Sequence, residues 1–78
     1  MTVSDLLPVI NQRIQDLEPG NTFTAKELLH DYWEQIPENM RTIFGIEFRN
    51  AVEDGIIQNA EFVQIQKSGR QNEYRRTQ

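Results

Sequence analysis

Cysteine is absent from the 78-residue sequence, so no disulfide can staple it, and its single histidine cannot build a zinc cage. No apolar run exceeds two residues, which leaves no segment able to span a bilayer as a helix and argues against a membrane partner. The amino terminus has no basic stretch followed by an apolar one, so no secretion signal is expected, and a cytoplasmic location follows. Glycine and proline are sparse, at four and three, and no glycine-rich loop forms: each glycine reads as backbone punctuation. What remains is one small domain, residues 1–78, that packing of apolar side chains must hold together. A chain of this size buries only about 60–65% of its unfolded surface.

Basic charge is also scarce: eight lysines and arginines face twelve acids, a formal charge of −4. The deficit is uneven. Residues 1–40 carry seven acids and two bases, whereas residues 41–78 carry six bases and five acids. The last twelve residues sum to +3. An acidic total disfavours non-specific attraction to phosphate, while a local basic end permits it.

Val3, Leu7, Ile10, Ile14 and Leu17 recur at helical steps and predict a first helix capped by Thr2 or Ser4. Pro8 fits only if the first turn begins near Ser4. Pro19-Gly20-Asn21 ends that helix. Thr24-Ala25-Lys26-Glu27 is a capping box, predicting a second helix of about ten residues with Leu28, Leu29, Tyr32 and Trp33 on its apolar face. Ile36-Pro37 breaks it. A third helix is expected from about Pro37 to Asp54, stopped by Gly55 in a left-handed cap. Its expected buried stripe is Met40, Ile43, Phe44, Phe48, Ala51 and Val52, with Ile46 near the polar face. Gly45 weakens this helix, which implies either a close backbone approach or a turn at Ile43–Gly45; one continuous helix is preferred. Beyond Ile57 the period changes to two. Glu61–Lys67 and Asn72–Arg76 read as a hairpin about Ser68–Gln71, with Tyr74 opposite the Val63–Ile65 face. The short piece around Phe23 is expected to join it as a third strand.

This order of elements makes the fold class α+β and resembles the winged helix-turn-helix of DNA-binding proteins: three helices, a short strand near Phe23 and a C-terminal β-hairpin. The run Leu17-Glu18-Pro19-Gly20-Asn21-Thr22-Phe23-Thr24, with Lys26-Glu27-Leu28 and Gly45-Ile46-Glu47-Phe48, also resembles a family of small uncharacterised proteins from Gram-positive bacteria and their phages. The winged-helix resemblance implies a nucleic-acid-binding, transcription-regulatory module that reads double-stranded DNA with helix three and the hairpin wing. Arg41, Arg49 and Asn50 would meet base edges or phosphates, and Thr42 a phosphate or a thymine methyl. Lys67 and Arg70 at the wing tip, with Arg75 and Arg76, would add backbone or minor-groove contacts. The plain alternative is a solvated polar face. Specific binders often use six to ten phosphate contacts, so six bases interspersed with Glu47, Glu53 and Glu73 imply a homodimer or a partner if DNA is the ligand.

A second function fits the same architecture: a protein–protein module with no affinity for DNA, using the acidic first half or a surface at Trp33 and Ile46. Trp33 reads first as core, and an exposed Ile46 near Met40 or Ile36 would mark an apolar contact patch. His30 is a surface residue without a second histidine beside it. No nucleophile–base set, phosphate-cradling glycine loop or metal-ligand spacing is present, so neither an enzyme nor a cofactor is expected.

Overall fold

Thr2 and Asp5 close a reciprocal capping box, with the Thr2 N–H donating to the Asp5 carboxylate at 2.9 Å and the Asp5 N–H donating to the Thr2 hydroxyl at 3.3 Å. Helix α1 runs from there, Val3–Asp16, and buries Val3, Leu6, Ile10 and Ile14. Pro8 lies beyond its first turn, contrary to the sequence expectation. The helix forgoes one backbone bond there and continues on its packed face. Gly20, at φ +93°, turns the chain into strand β1, Thr22–Thr24. The computed structural model describes all 78 residues.

Thr24 and Glu27 form the second capping box as expected, at 2.9 and 3.1 Å. The helix it opens is not ten residues long. It divides at Leu29 (φ −114°, ψ 34°) into α2, Ala25–Leu28, and α3, His30–Trp33. The break lets Leu28, Leu29 and Ile36 all reach the interior. A 3₁₀ turn, Glu38–Met40, then leads into α4, Arg41–Glu53. The domain therefore has four α-helices where three were expected.

Helix α4 begins later than expected and passes unbroken through Gly45. It ends as Gly55 predicts: at φ +78° this residue donates to the Val52 carbonyl, and Ile56 donates to that of Ala51, a Schellman closure. Phe44, Phe48, Ala51 and Val52 are buried, but Met40 and Ile43 are not. Met40 belongs to the tighter 3₁₀ turn, which rotates it off the α4 stripe. Ile43 lies more than a quarter turn from the centre of that stripe at 3.6 residues per turn.

Strands β2, Ala60–Ile65, and β3, Asn72–Arg76, form the hairpin, and β1 pairs with β3 to give the antiparallel order β1-β3-β2. Phe23 thus finds its core: Tyr74 stacks on it at 5.7 Å and also packs against Phe48 at 5.0 Å and Phe62 at 6.1 Å. Tyr74 pairs directly with Phe62, and of Val63 and Ile65 only Ile65 shares its face. A β-bulge between Phe62 and Gln64 inserts Val63, so Gln64 opposes Glu73 and Ile65 opposes Asn72. One extra residue exchanges the two faces of every residue beyond it. Gln64 and Gln66 accordingly donate to Glu73, while Ile65 joins the face of Asn72 and Tyr74.

Candidate functional site

The core residues just described set the bottom of a groove of about 330 Å³ between the first half of α4 and the far end of the hairpin. Buried Ala25 and Tyr74 are among its lining residues. Trp33, Arg41, Thr42, Gly45 and Ile46 form one side, and Gly69, Arg70, Gln71 and Asn72 the other. Five residues singled out in the sequence (Trp33, Arg41, Thr42, Ile46 and Arg70) meet here, two of them the expected protein-contact residues. No carboxylate lines the groove, although the chain carries twelve acids.

Trp33 is half-buried, edge-on to Phe44 at 6.0 Å, so it belongs partly to the core and partly to the groove. The Arg41 guanidinium lies 5.8 Å from its ring centroid and is fixed by two further bonds, from Nε to the Ile36 carbonyl at 3.2 Å and from Nη2 to the Trp33 carbonyl at 3.3 Å. The Trp33 carbonyl also accepts from the Ile36 N–H at 3.1 Å, so Arg41 ties together the chain that follows α3. Nη1 makes no bond within the fold.

Arg70 sits in the left-handed region, φ +51°, beside Gly69 at φ +83°, in a turn closed by the Gln66 N–H on the Gln71 carbonyl at 2.8 Å. Neither Arg70 nor Lys67 makes a hydrogen bond or an ion pair, and both are exposed. Gly45 bears out the preferred single helix but not the close backbone approach. The helix is continuous, and a Cβ placed there meets nothing within 4 Å, because the residue opens onto the groove.

The other expected nucleic-acid contacts lie elsewhere, most of them bound into the fold. Arg49 lies 3.9 Å over the Phe62 ring and donates to Glu53 at 3.1 Å. Arg75 pairs with Glu61 at 2.9 Å on the opposite sheet face. Arg76 reaches back to α1, donating to the carbonyls of Gln15 at 3.0 Å and of Leu17. A cation at a helix C-terminus opposes the partial negative charge there, so Arg76 is a cap. Asn50 is exposed on the outer face of α4. The arginines thus do not share one edge; of the six bases in the second half, only Lys67 and Arg70 lack an internal partner.

Exposed apolar surface, part of which the sequence reading assigned to the core, lies beside the groove. Met40, Ile43 and Ile46 are 44%, 49% and 56% exposed along the outer face of the 3₁₀ turn and α4, and Ile65 is 55% exposed on the hairpin. Ile46 was read from the sequence as near the polar face and a candidate contact residue, whereas Met40 and Ile43 were assigned to the buried stripe. The bulge that aims Ile65 had no sequence signal.

Between α1 and α3 Arg13 binds Asp31 through two oxygens, at 2.5 and 2.8 Å, and donates to the Leu28 carbonyl at 3.0 Å. The guanidinium lowers the Asp31 pKa to about 2. Burial raises that of Tyr74. No three side chains of His, Asp or Glu gather where they would hold a metal ion, and no helix is long and apolar enough to cross a membrane.

Comparison with curated proteins and with solved structures finds no match. A family model does match, over residues 8–76, from the second turn of α1 to the last residue of β3. The groove and all the elements that shape it lie inside this span, and the chain belongs to the family described as Domain of unknown function (DUF1413).

Proposed function

We propose that the domain is a winged-helix-type protein-docking module whose working face is the first half of α4 with the tip of the hairpin. One observation carries the reading: an acid-free groove bordered by exposed Ile46, lined by half-buried Trp33 and opened by a helical glycine. A contiguous apolar border beside well-placed polar groups marks a contact site. The β1-β3-β2 sheet beside the helices supports the winged-helix part of this reading, in which α2 to α4 would be the helix-turn-helix and β2–β3 the wing.

Exposed Lys67, Arg70, Thr42 and Asn50 favour a second reading, duplex DNA held by α4 and the wing. It is the weaker one. Arg49, Arg75 and Arg76 already have partners, and Glu47 and two isoleucines occupy the outer face of α4 where phosphates and bases would approach. Two unpartnered bases fall well short of the roughly six to ten phosphate contacts of specific binders.

The test is photo-crosslinking from a benzoylphenylalanine placed at position 46, with the same probe at position 12 on α1 as control. Incubated with an extract of the source cells, the position-46 probe is expected to give a discrete protein adduct that the position-12 probe does not. No adduct, or identical adducts from both positions, would contradict the docking reading. In parallel, a random duplex at 50 mM salt is expected to leave the amide signals of Thr42, Asn50, Lys67 and Arg70 unmoved; shifts confined to them would favour DNA.

A further inference from the structure

We infer that the groove between α4 and the hairpin tip receives an acidic, apolar segment of a partner protein, seating an aliphatic side chain over Gly45 between carboxylates that meet Arg70 and Arg41. This rests on the docking reading and adds the chemistry of the occupant.

Charge complementarity carries the inference. The chain is acidic as a whole, yet its groove contains two arginines and no acid. An occupant with carboxylates is attracted there, whereas a basic one is repelled. The two guanidiniums are placed differently. Arg41 is pre-oriented: Nε and Nη2 are held by the Ile36 and Trp33 carbonyls, and Nη1 is left uncommitted. A group already fixed loses little further freedom on binding. Arg70 has no internal partner and occupies a left-handed backbone position that glycine or asparagine would fill with less strain. Its presence there is unexplained by the turn and is explained by a ligand anion.

The groove also has a shape. At about 330 Å³ it is at the small end of the range for ligand pockets, roughly 300–1,000 Å³. Gly45 sits inside a helix, where alanine would be better, and no neighbouring atom demands the missing Cβ. The space it leaves suits an inserted side chain. Ile46 on one side and Ile65, turned to the face of Asn72 by the bulge, on the other supply apolar flanks.

The experiment is selection of a random twelve-residue peptide display library on the immobilised full chain. Amide-shift mapping and affinities of the recovered synthetic peptides follow. Expected are peptides with an aliphatic or aromatic residue flanked by at least two Asp or Glu, shifting Gly45, Ile46, Arg70 and Asn72. Their affinity falls at least tenfold with Arg70→Glu and with Gly45→Leu, and changes less than twofold with Lys26→Glu on α2, outside the groove. Gly45→Ala, which is benign to the helix, gives a smaller loss in the same direction and guards against misfolding of the leucine variant. Neutral or basic peptides mapping to these amides overturn the acidic occupant and leave the docking reading intact. Recovery of no peptide, or of peptides mapping away from α4 and the hairpin tip, overturns both. Displacement of the peptides from the same amides by random duplex transfers the site to nucleic acid and overturns both as well.

Discussion

The base and the tip of the hairpin use the same residue types for different ends. At the base, every base and ring is bound into the fold: Tyr74 packs on three aromatic rings, Arg76 caps α1, and Arg75 pairs with Glu61. At the tip, Lys67 and Arg70 have no partner, Ile65 is exposed, and the chain passes through two consecutive left-handed residues. The division falls at the bulge between Phe62 and Gln64. The lesson concerns basic residues generally: a cluster in sequence is a surface charge only after subtraction of those that bond internally.

The contrast is breakable from either side. The largest effect is expected at the base, where Tyr74→Ala removes the ring shared by Phe23, Phe48 and Phe62 and costs about 3–5 kcal/mol of unfolding free energy in urea titration. Arg76→Ala uncovers the carbonyls of Gln15 and Leu17 and is expected to cost about 1.5–3 kcal/mol by the same measurement. Between base and tip, Gly45→Ala is expected to stabilise by about 1 kcal/mol, because the helix gains propensity and the methyl meets only open space. At the tip, Lys67→Ala is expected to change stability by less than about 0.5 kcal/mol. A large loss there would erase the distinction.

Acid sharpens the same contrast. Asp31, held at about 2 by Arg13, has a folded pKa below its ordinary 3.8, so its contribution is complete above about pH 4 and is lost as pH falls through about 2. The stability difference between the parent and Asp31→Asn is therefore expected to shrink over that window. The carboxyl carbon shift of Asp31 gives the midpoint directly, and Arg13→Ala is expected to move it upward. Lys67 and Arg70 make no ion pair, so the tip has nothing comparable to lose.

Much of the architecture was legible because its signals are local. Both capping boxes span four residues, Gly55 announces its own turn, and alternation marks the hairpin. Phe23 pairing with the hairpin followed from the need to bury one aromatic residue. The failures have a common cause in contacts distant along the chain. Nothing near Arg76 in sequence indicates that its partners are Gln15 and Leu17, and nothing near Arg49 points to the Phe62 ring. Met40 was misassigned because a helical wheel assumes α geometry where the chain winds as 3₁₀, and Ile43 because it lies more than a quarter turn from the centre of the buried stripe of α4. The groove was half-visible: Trp33, Arg41, Thr42, Ile46 and Arg70 stood out singly, and only the fold brings them together.

The most direct test of a tip kept for binding is Arg70→Gly, read for stability and for affinity toward an acidic display-selected peptide. Glycine relieves the left-handed backbone at φ +51°, so unfolding free energy is expected to hold or rise by up to about 1 kcal/mol, while affinity falls at least tenfold. A variant that loses more than about 1 kcal/mol of stability and binds the peptide as tightly as the parent would contradict the account.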